Sequence, residues 1–209
     1  MKNLIVLSGF SRDGDSYGKL IKSAPSGWKV IVPSYKKLSL HKGVDFFEQS
    51  LLSYIKSFSS SKMYLLGHSL GGALAIGFAA KYRNAINNLF LVDSKGVSTA
   101  SLWDDLLKFL SHNKKRTLSE HVKTTIRVLK RPLFHIQSGM IAHKASLAKE
   151  LRNIKAKTIL FWGEKDGLTP LADGKKMQKL IPNSNLIVFK NLGHDWILDD
   201  PQKFWEKIH

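Results

Sequence analysis

The sequence predicts an α/β domain: a mostly parallel sheet of about six strands, covered by helices on both faces, with a helical insertion after the fourth strand. Three observations carry this. Short, almost wholly apolar runs recur along the 209 residues, as expected of strands buried on both faces. Segments with helical spacing alternate with them, the order that builds parallel sheets. Residues 95–152 break the rhythm, with helical spacing and no strand signal.

The elements follow in order. Residues 3–7 (Asn-Leu-Ile-Val-Leu) read as the first strand, ahead of a Ser/Gly/Asp-rich loop reaching Asp15. The lysine and apolar run at the start are too short for a signal peptide, and Arg12 and Asp13 follow where a small-residue cleavage site would stand. A short helix is expected over 17–23 and a second strand over 28–32, closed by Pro33. Over 45–58, Phe46, Phe47, Leu51, Leu52, Ile55 and Phe58 predict one apolar helix face. Strands follow at 63–66 and 88–92, with a helix over 70–82 between them. After the insertion come strands at 158–162 and 186–189 and helices over 170–180 and 197–208. The core is thus expected in residues 1–94 and 153–209, with 95–152 as a helical lid carrying segments at 101–110, 118–129 and about 136–151. No stretch approaches the roughly 18 apolar residues of a membrane span, so a cytoplasmic enzyme without a transmembrane segment is expected.

Composition narrows the chemistry. Cysteine is absent, which excludes disulfides, a thiol nucleophile and thiolate metal sites. The formal net charge is +17, which either only solvates the surface or points to an anionic partner or substrate. Residues 95–152 hold 12 Lys/Arg against 4 Asp/Glu, a net of +8 over 58 residues, against +9 over the other 151. Base-stacking aromatics are not interleaved with these charges, which disfavours nucleic acid.

The chemistry centres on Gly67-His68-Ser69-Leu70-Gly71-Gly72. A serine between a buried strand and an apolar helix sits on a tight turn with its hydroxyl projecting beyond the sheet edge. A phosphate loop is excluded, because no Gly-Lys-Ser/Thr ends it. A serine needs a base, and His194, between the last strand and the last helix, is placed to serve. The base needs an orienting carboxylate. Asp166, after the 158–162 strand, is favoured; Asp93, which also ends a strand, competes, and Glu164 and Asp195 are less well placed. The amides of Leu70 and Phe10 are the expected oxyanion donors, with Gly9 supplying an unusual backbone that turns the Phe10 amide inward.

The order Ser69, Asp166, His194, together with Gly-His-Ser-Leu-Gly-Gly, Gly-Glu-Lys-Asp and Leu-Gly-His, resembles the α/β-hydrolase superfamily, in particular its small serine esterases and lipases, over nearly the whole chain. The resemblance implies that residues 95–152 are a lid and that the first strand here corresponds to the family's third. Ser8-Gly9 departs from the family's usual His-Gly in the oxyanion loop. The implied function is a serine hydrolase cleaving carboxylic esters or thioesters through an acyl-enzyme on Ser69, with no metal or organic cofactor. Trp103, Leu106, Leu107, Phe134 and Met140 are candidate pocket residues for a small ester. The basic lid suggests an alternative substrate, an acyl group on an acidic acyl carrier protein, as in the pimeloyl-carrier methyl ester esterases. A non-catalytic hydrolase-fold protein binding a polyanion is the alternative of another class.

Overall fold

The computed structural model describes residues 1–10, 12–58, 63–97 and 147–208. Six strands, β1 (Lys2–Leu7), β2 (Trp28–Ile31), β3 (Met63–His68), β4 (Asn88–Val92), β5 (Lys157–Gly163) and β6 (Ser184–Phe189), form one sheet in the order β2-β1-β3-β4-β5-β6. Every pairing is parallel. The α-helices among the described residues are α1 (Gly18–Lys22), α2 (Val44–Lys56), α3 (Leu70–Lys81), α4 (Ala148–Asn153), α5 (Leu171–Leu180), α6 (Trp196–Asp199) and α7 (Gln202–Trp205).

Alternation along each strand fills two cores. Ile5, Leu7, Leu65, Leu89, Leu91, Leu160 and Trp162 pack on one face with residues of α2, α3, α4 and α5. Leu4, Val6, Leu66, Phe90, Val92 and Phe161 pack on the other with Tyr17, Leu20, Trp196, Phe204 and Trp205. Both sides of the central strands are therefore apolar, which is why these strands read as unbroken hydrophobic runs. β6 is an edge strand and only half-buried.

The strand order reverses between β1 and β3: from β1 the chain moves outward to β2, and from β3 it moves the other way to β4. Loops leaving the carboxyl ends of β1 and β3 diverge there and open a crevice, the usual ligand position in open parallel sheets.

Two expectations change. The helix expected over 197–208 is two short helices, α6 and α7, separated at Asp200-Pro201, because proline disfavours helical backbone in the residue before it. Phe46 does not join the buried face of α2; it is 54% exposed, whereas Phe47 is fully buried. The charged Glu48 is buried on that helix, with Lys81 2.8 Å away. The expected insertion lies mostly outside the described residues, as do Trp103, Leu106, Leu107, Phe134 and Met140. At its described ends the Leu147 amide donates to the Gly96 carbonyl at 2.8 Å, and Leu151 of α4 is buried in the core.

Candidate active site

Ser69 joins β3 to α3 with φ 54° and ψ −118°, a left-handed backbone that costs a non-glycine residue about 1–3 kcal/mol. Surrounding bonds hold it there. Its amide donates to the Val92 carbonyl, and its own carbonyl accepts from the amides of Gly72 and Lys95, all at 3.0 Å. The turn is packed backbone to backbone. A Cβ on Gly67 would lie 2.6 Å from the Gly71 oxygen, one on Gly71 would lie 2.0 Å from the Leu7 oxygen, and one on Gly72 would lie 1.8 Å from Ser94 Oγ. The glycines of the motif are needed because no side chain fits between α3, β1 and β4.

Leu70 is the first residue of α3. Its amide belongs to the first turn, where N–H groups have no partner within the helix. The loop after β1 lies against the serine: a Cβ on Gly9 would stand 3.3 Å from Ser69 Cβ. The sequence suggested that Gly9 supplies an unusual backbone, but its φ is not in the left-handed region. Close approach to Ser69 and His68 is what crowds a Cβ there. The Arg12 amide donates to the Gly9 carbonyl at 3.1 Å. Since no peptide bond among the described residues is cis, the Phe10 amide of the same peptide plane points away from Arg12. The Tyr35 hydroxyl donates to the Ser8 carbonyl, and the Arg12 guanidinium pairs with Asp195 at 2.7 Å, fastening the loop at both ends.

His194 and Asp166 come together at the ends of β6 and β5. Their Nδ1 and Oδ2 atoms are 2.8 Å apart, and both side chains are buried. Asp166 Oδ1 accepts from the amides of Leu168 at 2.7 Å and Thr169 at 2.9 Å, and the Thr169 hydroxyl donates to Oδ2. Burial alone would push the Asp166 carboxyl up. The hydrogen bond and charge of His194, with the Thr169 bonds, outweigh burial and hold it below the ordinary carboxylate value. An ionised Asp166 fixes the imidazole with its proton on Nδ1 and leaves Nε2 as the basic nitrogen.

Asp93, the competing carboxylate, is placed differently. It ends β4 with φ 42° and is fully buried, and its Oδ1 accepts the Gly163 amide at 2.8 Å. Its Oδ2 has no hydrogen bond, and neither does the nearby Trp196 indole nitrogen. Burial, and then the charge of Asp166, push its carboxyl well above the usual range. A group that holds its proton so firmly is a poor stabiliser of an imidazolium. Glu164 and Asp195 have local structural partners: Glu164 accepts the Asn191 amide at 3.0 Å, and Asp195 binds Arg12.

Four residues beside the site are not among the candidates the sequence offers: Thr169, Tyr17, His68 and Arg12. For Thr169 a signal existed, an Asp with Thr three residues on, the spacing of a local side-chain-to-backbone turn. Among the described residues no group of three or more His, Asp or Glu side chains could hold a metal ion, and no helix is long and apolar enough to cross a membrane.

An all-parallel sheet with a strained serine at the β3–α3 elbow and a buried Asp–His pair two strands away is the architecture of an α/β hydrolase. The family model described as alpha/beta hydrolase fold matches residues 43–151, just over half of the chain, and the chain belongs to that family. It is 22% identical to Lipase 1 of Psychrobacter immobilis over 91% of this chain and 70% of that protein. It is 23% identical to the pimeloyl-[acyl-carrier protein] methyl ester esterase of Aeromonas hydrophila subsp. hydrophila over 99% of this chain and 93% of that one. Some curated relatives are longer, and the chain spans 62% to 66% of their length. The crystal structure of a bromoperoxidase from Bacillus anthracis superposes with a TM-score of 0.79 at 17% identity, over 98% of this chain and 89% of that one, a likeness of fold.

Proposed function

We propose that the protein is a serine hydrolase that cleaves carboxylic esters or thioesters through an acyl-enzyme on Ser69. The observation that carries this reading is the buried His194–Asp166 pair, at 2.8 Å, on the same sheet edge as a serine held in strained backbone. Such strain persists only where surrounding structure enforces it, and it concentrates at functional sites. His194 Nε2 removes the Ser69 proton as Oγ attacks the substrate carbonyl. The amides of Leu70 and Phe10 stabilise the tetrahedral oxyanion. His194 returns the proton to the departing alcohol or thiol. Water, activated by the same nitrogen, then releases the acid and restores Ser69.

Hydrolysis of p-nitrophenyl esters from acetate to palmitate, by wild type and Ser69→Ala, tests the reading. A chain-length optimum in wild type that is lost in the variant is expected; equal rates for the two proteins would refute it. The basic stretch 95–152 and the similarity to a carrier-ester esterase support a second reading of the substrate, an acyl group on an acidic carrier protein. Added salt should then slow hydrolysis of the carrier ester far more than that of a neutral ester, and equal salt responses would exclude it.

A further inference from the structure

The oxyanion loop and the histidine loop come from opposite ends of the chain, and a line of buried hydrogen bonds joins them. The Gly9 amide donates to the Tyr17 hydroxyl at 3.0 Å. That hydroxyl lies 2.9 Å from His68 Nδ1, and His68 Nε2 lies 3.2 Å from the His194 carbonyl oxygen. Tyr17 is fully buried and His68 is 1% exposed. We propose that Tyr17 and His68 are positioning residues, and that this chain holds the oxyanion loop and the histidine loop at a fixed separation on either side of Ser69. The inference rests on the serine hydrolase reading and deepens it.

The direction of the chain follows from donor and acceptor counts. The Tyr17 oxygen already accepts from Gly9, so its own proton is available to His68 Nδ1. A carbonyl can only accept, so the bond to the His194 oxygen requires a proton on His68 Nε2. One neutral tautomer, protonated on Nε2, satisfies both contacts. The other would leave the Tyr17 proton without this partner and set the Nε2 lone pair against a carbonyl oxygen. The imidazolium is suppressed by burial and by the neighbouring His194, which pull the His68 pKa down to about 3. Every bond therefore points the same way, from Gly9 to His194.

The position of His68 explains why such a link would bear on reaction. It is the last residue of β3 and shares a peptide bond with Ser69. Its ring centroid lies 5.2 Å from that of His194. A Cβ on Gly9 would come within 3.4 Å of its Nδ1. The nucleophile, the loop carrying the Phe10 amide and the backbone of the base thus all meet one imidazole.

The test uses the full-length protein labelled with ¹⁵N, with Tyr17→Phe, His68→Asn and the double variant. Long-range ¹H–¹⁵N spectra at neutral pH should show His68 neutral with its proton on Nε2. A proton on Nδ1, or a charged ring, would overturn the chain. In Tyr17→Phe, kcat for an ester should fall about 10–100-fold with KM within about twofold, because the oxyanion donors act in the transition state. The double variant should lose no more than the worse single variant, since both cut one chain. Unchanged kcat in a folded Tyr17→Phe, or multiplicative losses in the double variant, would overturn the positioning role. If wild type itself turned over no ester while His68 showed the expected tautomer, the hydrolase reading would fall, and the positioning role with it.

Discussion

Replacing Gly71 with alanine tests whether the elbow and the oxyanion loop touch as described. The added Cβ would lie 2.0 Å from the Leu7 oxygen, 2.5 Å from the Leu7 carbonyl carbon and 2.7 Å from the Ser8 oxygen. These are backbone atoms at the end of β1 and cannot rotate away. Bringing the nearest contact to even 3.0 Å requires β1 and the first turn of α3 to part by about 1 Å. That displacement falls between the two proposed oxyanion donors, because Leu70 precedes Gly71 on α3 and Phe10 follows Ser8 out of β1. A misplacement of about 1 Å costs on the order of 100-fold in rate, and complete loss of one donor costs about 10²–10³-fold. Overpacking should cost about 1–3 kcal/mol of stability, lowering Tm by about 2–12 °C at this chain length. The expected result is thus a protein still folded at 25 °C with kcat/KM for a p-nitrophenyl ester down at least about 100-fold. Gly18→Ala is the control: nothing lies within 4 Å of its Cβ, and its φ is −55°. A Gly71→Ala protein retaining wild-type Tm and near-wild-type kcat/KM would refute the packing argument.

Other expectations follow from the carboxylates and the loop ties. Asp166→Asn should lower kcat on the order of 10⁴-fold, by allowing the wrong imidazole tautomer; a loss below about tenfold would remove Asp166 from its proposed role. The folded Asp166 pKa is depressed, so its stabilisation is present above the unfolded value of about 3.9 and is lost as pH falls through the folded value; acid melts of Asp166→Asn should lack that loss. Asp93 has the opposite sign. Its folded pKa is raised, so wild type loses stability as pH rises from about 3.9 towards that value. Asp93→Asn keeps an acceptor for Gly163 and should melt higher than wild type at pH 7, with the gain vanishing near pH 4; an equal or lower Tm at pH 7 would contradict this. Arg12→Ala should cost roughly 1 kcal/mol, and the difference from wild type should shrink in 1 M NaCl; a salt-independent difference would mean that the Arg12–Asp195 pair contributes through packing.

Local chemistry wrote most of this fold into the sequence. The strands at the sheet centre are apolar on both faces and run into Ser, Gly or Asp at their carboxyl ends, so their order along the chain and approximate limits follow from residue type. The strand-end positions of Ser69, Asp166 and His194 follow from the same punctuation. What local spacing does not encode is contact across the chain. Tyr17 meets His68 at a separation of 51 residues, and Arg12 meets Asp195 at 183; no periodicity links such positions. Phe46 shows a different limit. Helical spacing placed it with Phe47 and Leu51, but adjacent residues on a helix point about 100° apart, and only one of two neighbouring phenylalanines can face the core fully. The break at Asp200-Pro201 was legible, because the residue before a proline resists helical backbone.

The hydrogen bond between the Leu147 amide and the Gly96 carbonyl has a consequence for how such a protein can change. The chain departs from the sheet and returns to it through one doorway, so the hydrolase body is indifferent to the length of what passes between. Closing a longer loop costs only about 0.6 kcal/mol for each doubling. Segments of different size and charge can therefore be exchanged at this socket by insertion or recombination while Ser69, Asp166 and His194 keep their places. The fold thus separates the strand-end positions of Ser69, Asp166 and His194 from a connection that is free to diversify.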